Sequence, residues 1–442
     1  MDYNVYRYIA DRITVAIALQ NGHIVHMPNP ALYQRRLAQR AQLALRRSPV
    51  VLLTGPRQAG KTTLATELTE GRDATEAVSL DDVTTLASAR RDPDGFLENL
   101  APGAVIDEAQ RAPELLHALS RAPERAGARP LLLTASVSPL LMSGLEEWPR
   151  GLVETVTLSP LAQSEITAGP GRFIDTIFAG DPAGIVGGSR DEAIAAALVG
   201  GYPRVQSLGL ERQAAWFRSY ISAVLDRDVR DLAQVAGLAP LPQLLTLLAA
   251  RSGGPLNAAG LARDLGIPNT SLRRYLALLE AAYLVVRLPA WRGVRGRRVV
   301  RAPRIFLSDT GLMAHLAQIT EERLAQDPTL AAPLLEALAI LELLKQAEWS
   351  ETRPSASHFR TALGHGVDLV LETTDGLVGV DVRAAVSVGG HDLQGLRALR
   401  DLTGRRFRRG VLLYLGREAI PLEDRLWAVP LGGLWTSGPA AQ

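Results

Sequence analysis

Cysteine is absent from the 442 residues of this chain. The absence excludes disulfides, thiolate zinc sites and a cysteine nucleophile, and it is compatible with a reducing compartment, so we expect the protein in the cytoplasm. Long apolar runs are also missing. The longest run near the start, residues 13–19, falls well short of the roughly 18 to 20 residues of a membrane helix. The sequence therefore predicts no membrane partner.

Neither sign of charge is in large excess. The 48 Lys+Arg residues face 46 Asp+Glu, a formal net charge of +2, so a basic function must be local to part of the surface. Apolar residues make up 47% and charged residues 21%, which excludes a largely disordered chain. A chain of this length exceeds what one hydrophobic core usually serves, and we expect several domains.

Residues 31–165 alternate helical segments with short aliphatic strands, which predicts an α/β fold with a parallel sheet covered by helices. The candidate strands are residues 50–54, 77–80, 104–107, 130–134 and 153–158. The preceding residues 1–30 are an N-terminal extension. It is either a hairpin around Asn21 and Gly22 or an accidental extension ahead of Met27.

Residues 55–62, GPRQAGKT, fit the phosphate-loop pattern GxxxxGK[ST] between an aliphatic strand and a helical segment. The two glycines let the backbone turn so that its amides point at phosphate oxygens at a helix N-terminus. Lys61 then reaches the terminal phosphates, and Thr62 offers its hydroxyl to Mg²⁺. We predict that the nucleotide is bound by Gly55, Pro56, Arg57, Gln58, Ala59, Gly60, Lys61, Thr62 and Thr63.

Two neighbouring carboxylates, Asp107 and Glu108, lie at the end of the third predicted strand, which we expect to be buried. A buried carboxylate pair is costly without a cation, and Mg²⁺ is the natural one beside a phosphate loop. Asp107 would hold Mg²⁺ through water, while Glu108 would orient and deprotonate the attacking water. A further strand ends in Thr134 and Ser136, either of which senses the γ-phosphate or is a buried hydroxyl with its own partner.

Three further units follow in the sequence. Residues 166–237 read as a small helical lid, and residues 330–442 as an α/β module with a helix at 334–346 and strands at 367–371, 377–382 and 410–415. Residues 238–316 contain a helix-turn-helix, with a turn at Gly266, Pro268 and Asn269. The segments 283–288 and 305–307 resemble the hairpin of a winged helix.

Seven segments occur together in one order. They are VVLLTGPRQAGKTTL, SLDD at 79–82, AVIDEAQRAPEL, LSPLAQSE at 158–165, GGYPR at 200–204, LDRDVRDL at 225–232 and RIFLSDTGL at 304–312. In this order the chain resembles bacterial and archaeal AAA+ ATPases with a winged helix and a C-terminal restriction-endonuclease-like domain. The resemblance covers residues 31 to about 430 and implies a P-loop NTPase fold that binds ATP with Mg²⁺ and hydrolyses ATP.

AAA+ ATPases commonly complete their site with an arginine from a neighbouring subunit, so the resemblance also implies a homo-oligomer. The family often has Gly-Arg at the position where this chain reads Gly151 and Leu152, and the arginine here is displaced to Arg150. Arg227 and Arg230 are alternatives. They are equally interpreted as surface partners of aspartates on the same helix.

Arginines are dense in the predicted winged helix. Arg273 and Arg274 would lie on the exposed side of the second helix, where groove contacts are made. Arg295, Arg297 and Arg298 would lie in the wing, with Trp291 placed to stack on bases and Arg304 at the end of the loop. The partner is either DNA or a client protein.

The C-terminal module resembles the PD-(D/E)xK nuclease fold, with Glu336, Asp368, Asp381 and Arg383 at the matching positions. An arginine replaces the usual lysine, and a planar guanidinium does not substitute freely for an ammonium. A docking fold without cleavage is therefore expected. Three functions stay open: an ATPase that regulates a bound partner; a nucleotide-gated DNA-associated regulator or toxin–antitoxin or defence component with little turnover; and an ATP-gated nuclease.

Overall fold

The computed structural model describes residues 33–69, 77–121, 130–142, 145, 148, 151–230, 237–293 and 300–438. The chain divides into two units, Met1–Tyr33 and Gln34–Gln442. The predicted N-terminal extension over residues 1–30 lies outside the described residues. All elements given below belong to the second unit.

In the described part of the chain, five strands form a parallel sheet with the order β2-β3-β4-β1-β5. They are β1 Val50–Thr54, β2 Ala77–Ser79, β3 Val105–Asp107, β4 Leu131–Ala135 and β5 Val153–Thr157. Each lies where the sequence predicted a strand. Every residue of β1 is buried, which is expected for a parallel strand covered on both faces. Val50 and Leu52 enter one apolar core, and Val51 and Leu53 enter another.

Five helices accompany this sheet: α1 Ala38–Arg47, α2 Lys61–Thr69, α3 Val83–Arg91, α4 Pro93–Glu98 and α5 Pro113–Arg121. Aspartates fix where two of them begin, because the side chains of Asp82 and Asp92 accept hydrogen bonds from main-chain amides of α3 and α4. Strand β4 lies between β1 and β3. The carboxyl ends of these three strands therefore share one edge of the sheet, where ligands of α/β folds bind.

A helical region follows the sheet, with α6 Gln163–Ile166, α7 Phe173–Ala179, α8 Arg190–Val199 and α9 Leu210–Ala223. Helix α9 continues into a π-helical segment, Val224–Val229. Single-turn π-helical segments are rare in proteins and frequently lie at functional sites.

The predicted helix-turn-helix is formed by α11 Ala258–Leu265 and α12 Asn269–Ala281, after α10 Leu241–Ala250. Gly266 ends α11 with a left-handed φ of 64°, a conformation that favours glycine. Leu272, Leu276 and Leu279 are buried on one face of α12, as the spacing predicted. An antiparallel pair follows, β6 Val285–Leu288 and β7 Arg304–Leu307, and then α13 Thr310–Ala317 and α14 Glu321–Gln326.

The last part of the chain begins with the long helix α15 Ala331–Trp349. A mixed sheet with the order β12-β13-β11-β10-β9-β8 follows, and the strand pairs are both parallel and antiparallel. Its strands are β8 Ser355–Arg360, β9 Gly366–Thr373, β10 Gly376–Val382, β11 Phe407–Tyr414, β12 Ile420–Glu423 and β13 Leu426–Pro430, with helices α16 Gln394–Thr403 and α17 Gly433–Thr436. The sequence had predicted α15, β9, β10 and β11 but had missed the other three strands.

One apolar core extends from Phe173 to Trp435 and takes residues from the helical region, the helix-turn-helix and the C-terminal sheet. Helix α15 supplies buried residues on all sides, which is typical of a helix enclosed by other elements. The domain boundaries near residues 166, 237 and 330 stay predictions. Within the described residues, no helix combines the length and apolar character needed to cross a membrane.

Several of the recognised sequence segments meet in one buried polar cluster, here called the buried joint: Leu161, Gly201, Asp309, Glu342 and Lys345. The amide of Leu161 donates to the carbonyl of Gly201 at 2.7 Å, and the amide of Gly201 donates to Asp309 Oδ2 at 2.6 Å. Lys345 Nζ donates to the carbonyl of Leu161 and to Glu342 Oε1, both at 2.9 Å. The joint therefore links the segment after β5 to helix α15.

Gly201 offers a direct test of this packing. A Cβ atom at residue 201 would lie 2.2 Å from the carbonyl oxygen of Leu161, and main-chain atoms at such a distance have to move apart. We expect Gly201→Ala to lower the free energy of unfolding by about 1 to 3 kcal/mol. The matched control is Gly180→Ala, because no atom lies within 4 Å of the added carbon. The measurement is the thermal unfolding midpoint, and equal midpoints for the two variants would contradict the prediction.

Candidate functional site

The phosphate loop is the turn between β1 and α2. Gly55 and Gly60 adopt φ angles of 144° and 96°, which L side chains rarely adopt. A Cβ atom at Gly55 would also lie 2.1 Å from the carbonyl oxygen of Leu158. The loop leads directly into the N-terminus of α2, which places main-chain donors and the positive end of the helix dipole at the same edge of the sheet.

Lys61 lies beneath this loop and is 5% exposed. Its Nζ donates to the carbonyl oxygens of Gly55 and Pro56, at 3.1 and 2.9 Å. Burial lowers the pKa of Lys61 to about 8, and the nearby carboxylate of Glu108 acts in the opposite direction. The chain contains only two lysines, Lys61 and Lys345, and both are buried. Arginine supplies every other permanent positive side chain, so an ammonium group is confined to these two places.

A hydroxyl and carboxylate group lies next to the loop. Thr62 Oγ1 donates to Asp107 Oδ1 at 2.9 Å, and Thr134 Oγ1 donates to the same oxygen at 2.5 Å. These are the hard oxygen donors that Mg²⁺ prefers. Among the described residues, no group of three or more His, Cys, Asp and Glu side chains could hold a metal ion. The arrangement fits Mg²⁺, which binds few protein groups and completes its shell with phosphate and water oxygens.

Glu108 follows β3 in a left-handed conformation, with φ 59°, which is uncommon for a residue other than glycine. Both of its carboxylate oxygens have partners. Ser136 Oγ donates to Oε1 at 2.8 Å, and Gln110 Nε2 donates to Oε2 at 2.5 Å. Ser136 therefore orients Glu108, while Thr134 contacts Asp107. Sequence reasoning had named both hydroxyls as candidates for one role and had not considered Gln110.

Arg57 joins the loop to the π-helical segment. Its Nε and Nη2 donate to the two carboxylate oxygens of Asp228, at 3.0 and 2.9 Å, and Nη2 lies 3.5 Å from Glu108 Oε2. Burial opposes the charge of Arg57, but the hydrogen bond and charge of Asp228 outweigh it and raise the pKa of Arg57. Burial raises the pKa of Asp228, and Arg57 counteracts that effect.

Two of the arginines predicted to complete the site, Arg227 and Arg230, pair with carboxylates other than Glu108 and Asp228. Arg150 lies outside the described residues. Arg227 forms an ion pair with Asp81, a carboxylate that Arg111 also contacts at 2.8 Å. Arg230 pairs with Asp226 at 3.1 Å along the same helical segment, as the surface interpretation predicted.

A residue that the sequence did not reveal, Arg35, supports the loop from the other side. Its Nη1 donates to the carbonyl of Ala59 and its Nη2 to the carbonyl of Ser159, both at 2.7 Å. Its Nε donates to Glu165 Oε1 at 3.1 Å. Nothing in the local sequence distinguishes Arg35 from the neighbouring Arg36 and Arg40, which are only half-buried, because Ser159 and Glu165, two of its partners, are more than 100 residues away.

The four nuclease-like residues lie together. Arg383 contacts both oxygens of Asp381 at 3.2 Å, and Val382 N donates to Asp368 Oδ2 at 2.9 Å. Arg304 from β7 donates to Asp368 Oδ1 at 2.9 Å and forms an ion pair with Glu336. Burial, and next the charge of Asp368, raise the pKa of Asp381 well above its usual value. Arg304 thus pairs with Glu336 and Asp368, and Arg383 pairs with Asp381 and Asp392.

The predicted nucleic-acid surface is described only in part. Arg273 and Arg274 are exposed on α12, whereas Arg295, Arg297 and Arg298 lie outside the described residues. The predicted stacking role of Trp291 is wrong for this structure, because the ring is 4% exposed and packs edge-on against Phe359. Its Nε1 donates to Glu372 at 3.1 Å. Arg304 is likewise engaged with carboxylates and not with the surface.

Three family descriptions match separate parts of the chain. An AAA domain matches residues 47–167. A domain of unknown function (DUF8612) matches residues 190–323, and another (DUF4143) matches residues 332–434. The AAA match contains the phosphate loop, the predicted metal-binding residue Asp107 and the predicted catalytic residue Glu108.

Relatives and solved structures add to this comparison. Uncharacterized proteins of Mycobacterium tuberculosis and Mycobacterium bovis are each 33% identical over 413 residues, which is 92% of this chain and 85% of each relative. A Walker-type ATPase of Pyrococcus abyssi is 16% identical with a TM-score of 0.38, covering 64% of this chain and 96% of that chain. A signal transduction ATPase with numerous domains, from Pyrococcus horikoshii, is 13% identical with a TM-score of 0.25, covering 73% of this chain and 48% of that chain.

The lowered pKa of Lys61 predicts a pH dependence of nucleotide binding. In the protein without nucleotide, the pKa of Lys61 is about 8. Below that pH, Lys61 is charged both before and after the nucleotide binds, so binding exchanges no proton. A bound triphosphate favours the ammonium form and raises the pKa, so above about pH 8 binding takes up a proton. Affinity should then fall by up to about tenfold per pH unit. Calorimetry in two buffers of different ionisation enthalpy measures both the proton uptake on binding and the affinity for ATP.

The control for this prediction is Lys61→Arg, whose guanidinium stays protonated throughout the range. Proton uptake should disappear in that variant. Wild-type affinity that stays constant from about pH 7 to about pH 9 would contradict the proposed role of the Lys61 charge.

Proposed function

This chain belongs to the family of the two mycobacterial relatives and carries an AAA-type P-loop ATPase domain, and we propose that it couples hydrolysis of ATP to ADP and phosphate to the control of a bound partner. The observation that carries the proposal is the convergence of Lys61, Thr62, Asp107 and Glu108 at one edge of the parallel sheet. Thr62 and Thr134 both donate to Asp107 Oδ1, at 2.9 and 2.5 Å, and Lys61 Nζ donates to the loop carbonyls of Gly55 and Pro56.

Binding begins with an exchange of hydrogen bonds. The loop amides and the N-terminus of α2 would receive the phosphate oxygens, and Lys61 Nζ would turn from the carbonyls of Gly55 and Pro56 to the terminal phosphates. Thr62 would hold Mg²⁺ directly and Asp107 would hold it through water, as their shared oxygen contact supports. The cation supplies charge neutralisation between the β- and γ-phosphates.

Glu108 is the proposed general base. Ser136 and Gln110 hold its carboxylate in one orientation, so its free lone pairs are available for a water beside the γ-phosphate. Water attacks the γ-phosphorus, Glu108 accepts the proton, and the bond to the bridging oxygen of ADP breaks. Thr134 is proposed to act on the cation site through Asp107, since its hydroxyl donates to that carboxylate.

Substitution of Glu108 tests the proposal. Glu108→Gln keeps the volume and one of the two accepted hydrogen bonds but cannot accept the proton, so we expect ATP to bind with near wild-type affinity while turnover falls by about 10² to 10⁴. Lys61→Ala should lose binding itself. Phosphate release and calorimetry separate the two effects.

The matched control is Glu67→Gln, at an exposed position of α2, which should hydrolyse ATP at the wild-type rate. If Glu108→Gln releases phosphate as fast as the wild type, the proposed base is wrong. If wild type binds ATP without releasing phosphate, the chain is the nucleotide-gated regulator instead.

The site is connected to the rest of the chain by the buried joint and by the Arg57–Asp228 pair. We propose that these contacts transmit the nucleotide state to a winged helix, formed by α11, α12 and the β6–β7 pair. The pattern that supports it is a helix-turn-helix followed by an antiparallel strand pair. The proposed partner is DNA, bound through Arg273, Arg274 and the arginines at 295, 297 and 298, with a client protein as the alternative.

The C-terminal module is proposed to be a docking fold and not a nuclease. A metal-dependent nuclease needs carboxylates free to ligate a cation. Here Arg304 is bound to Asp368 and Arg383 is bound to Asp381. The positive charge of these two arginines opposes the binding of a metal cation by the same carboxylates. Assembly into a homo-oligomer, which the family resemblance implies, stays a prediction.

A fluorescent DNA duplex tests both the proposed DNA binding and the proposed absence of nuclease activity. We expect binding at low salt that weakens steeply with added salt, by a slope of about 0.9 per phosphate contact in a double-logarithmic plot. Reversing Arg295, Arg297 and Arg298 to Glu should weaken binding at least about tenfold. The same duplex should stay intact with Mg²⁺ or Mn²⁺.

The control reverses Arg46, Arg47 and Arg91, which are exposed elsewhere on the chain and change the net charge equally. Equal loss of affinity in both triple variants would show a non-local charge effect. No binding at low salt would contradict the DNA proposal, and cleavage that Asp368→Ala abolishes would contradict the docking proposal.

A further inference from the structure

Hydrolysis of ATP concentrates negative charge on the γ-phosphate and the bridging oxygen, and P-loop enzymes commonly neutralise it with an arginine. Among the described residues, Arg227 is paired with Asp81 and Arg230 with Asp226. Neither contacts Glu108. The guanidinium that does contact Glu108 belongs to Arg57, a residue of the phosphate loop itself.

The position of Arg57 within the loop places it at the γ-phosphate end. Lys61 Nζ, which serves the terminal phosphates, contacts the carbonyls of Gly55 and Pro56, and Arg57 follows these two residues directly. On the other side, Arg57 Nη2 lies 3.5 Å from Glu108 Oε2. The proposed base must lie beside the attacking water, and that water beside the γ-phosphorus. The guanidinium is therefore within reach of the oxygens on which charge develops.

Asp228 fixes the orientation of this guanidinium. Two parallel hydrogen bonds, from Nε and Nη2, hold one edge of the planar group, a geometry that gives direction as well as strength. The remaining nitrogen, Nη1, has no hydrogen bond among the described residues. Asp228 is 6% exposed and lies in the π-helical segment. A rotation of this segment would move the guanidinium with it.

We propose that Arg57 is the catalytic arginine of this ATPase, supplied by the same chain that binds the nucleotide, and that Asp228 is its positioning residue. The inference rests on the proposed ATP hydrolysis. Arg57 exchanges no proton in the reaction, since its guanidinium stays protonated. It stabilises the developing charge, while Glu108 takes the proton from water.

The first experiment compares turnover and affinity. Arg57→Ala should lower kcat by about 10² or more and change KM for ATP only a few-fold, because the interaction strengthens in the transition state. Arg57→Lys should restore little, since an ammonium cannot make the two parallel bonds to Asp228. The control is Arg46→Ala, at an exposed position of α1, which should leave both constants unchanged.

Removal of Arg57 leaves the buried Asp228 without its partner and can unfold this region. The double variant Arg57→Gln with Asp228→Asn removes both charges and keeps groups of similar size. It should bind ATP in calorimetry and hydrolyse it as poorly as Arg57→Ala. If the double variant hydrolyses ATP at the wild-type rate, Arg57 is not the catalytic arginine.

Asp228 needs a readout that a structural role alone would not change. Asp228→Asn keeps one hydrogen bond and should lower kcat while leaving KM and the unfolding midpoint near the wild-type values. In the Arg57→Ala background the same substitution should have no further effect on kcat, because both act through one guanidinium. Independent, multiplicative effects would overturn the positioning role.

Mixing distinguishes an arginine of the same chain from one of a neighbouring chain. Lys61→Ala cannot bind nucleotide but keeps Arg57, and Arg57→Ala binds nucleotide but lacks the arginine. If Arg57 acts within its own chain, a mixture of the two has only the sum of their low activities. Restored hydrolysis in the mixture would show that Arg57 acts across an interface and would overturn the inference.

The failures of the two proposals differ. Wild-type protein without phosphate release overturns ATP hydrolysis and this inference together. Active wild type, with Arg57→Ala equally active, overturns only the role of Arg57 and leaves the ATPase assignment in place.

Discussion

A buried charge is costly unless a partner of opposite charge or a set of hydrogen bonds compensates it, and this constraint governs the phosphate site. Lys61 is compensated by two loop carbonyls, Glu108 by Ser136 and Gln110, and Arg57 by Asp228. In the proposed function, phosphate binding would exchange some of these contacts for contacts with the ligand. The free protein therefore holds the charged groups in place by bonds that the nucleotide can replace.

The same constraint connects the site to the rest of the molecule. Arg35, which donates to the loop carbonyl of Ala59, pairs with Glu165, and the segment that contains Glu165 is bound through the amide of Gln163 to Glu342 of α15. Lys345 completes this joint by contacting Glu342 and the carbonyl of Leu161. A change in the position of the loop is thus opposed by buried polar contacts that extend into the C-terminal part of the chain. This gives the proposed coupling to a partner a physical path.

Local patterns were sufficient for the strands of the first sheet, the phosphate loop and the helix-turn-helix. The aliphatic runs of β1 and β4 and the GPRQAGKT segment each carry their signal within about ten residues. Strand β13 was missed although it is buried, because a five-residue apolar run does not by itself distinguish a strand from a helix. Strands β8 and β12 were missed because they lie at the edges of the sheet and are partly exposed, as in Ser355–Arg360. Edge strands of this kind carry little periodicity.

By itself, the sequence determined the GxxxxGK[ST] turn between β1 and α2 and the two carboxylates at the end of β3, because those signals depend on residue type and short spacing. The tertiary structure alone decided the partners: Arg57 with Asp228 across 171 positions, Arg35 with Glu165 across 130, and Trp291 in the interior and not on a nucleic-acid surface. An arginine or a tryptophan has the same local sequence context whether it is buried or exposed. Its environment is set by segments that only the folded chain brings near.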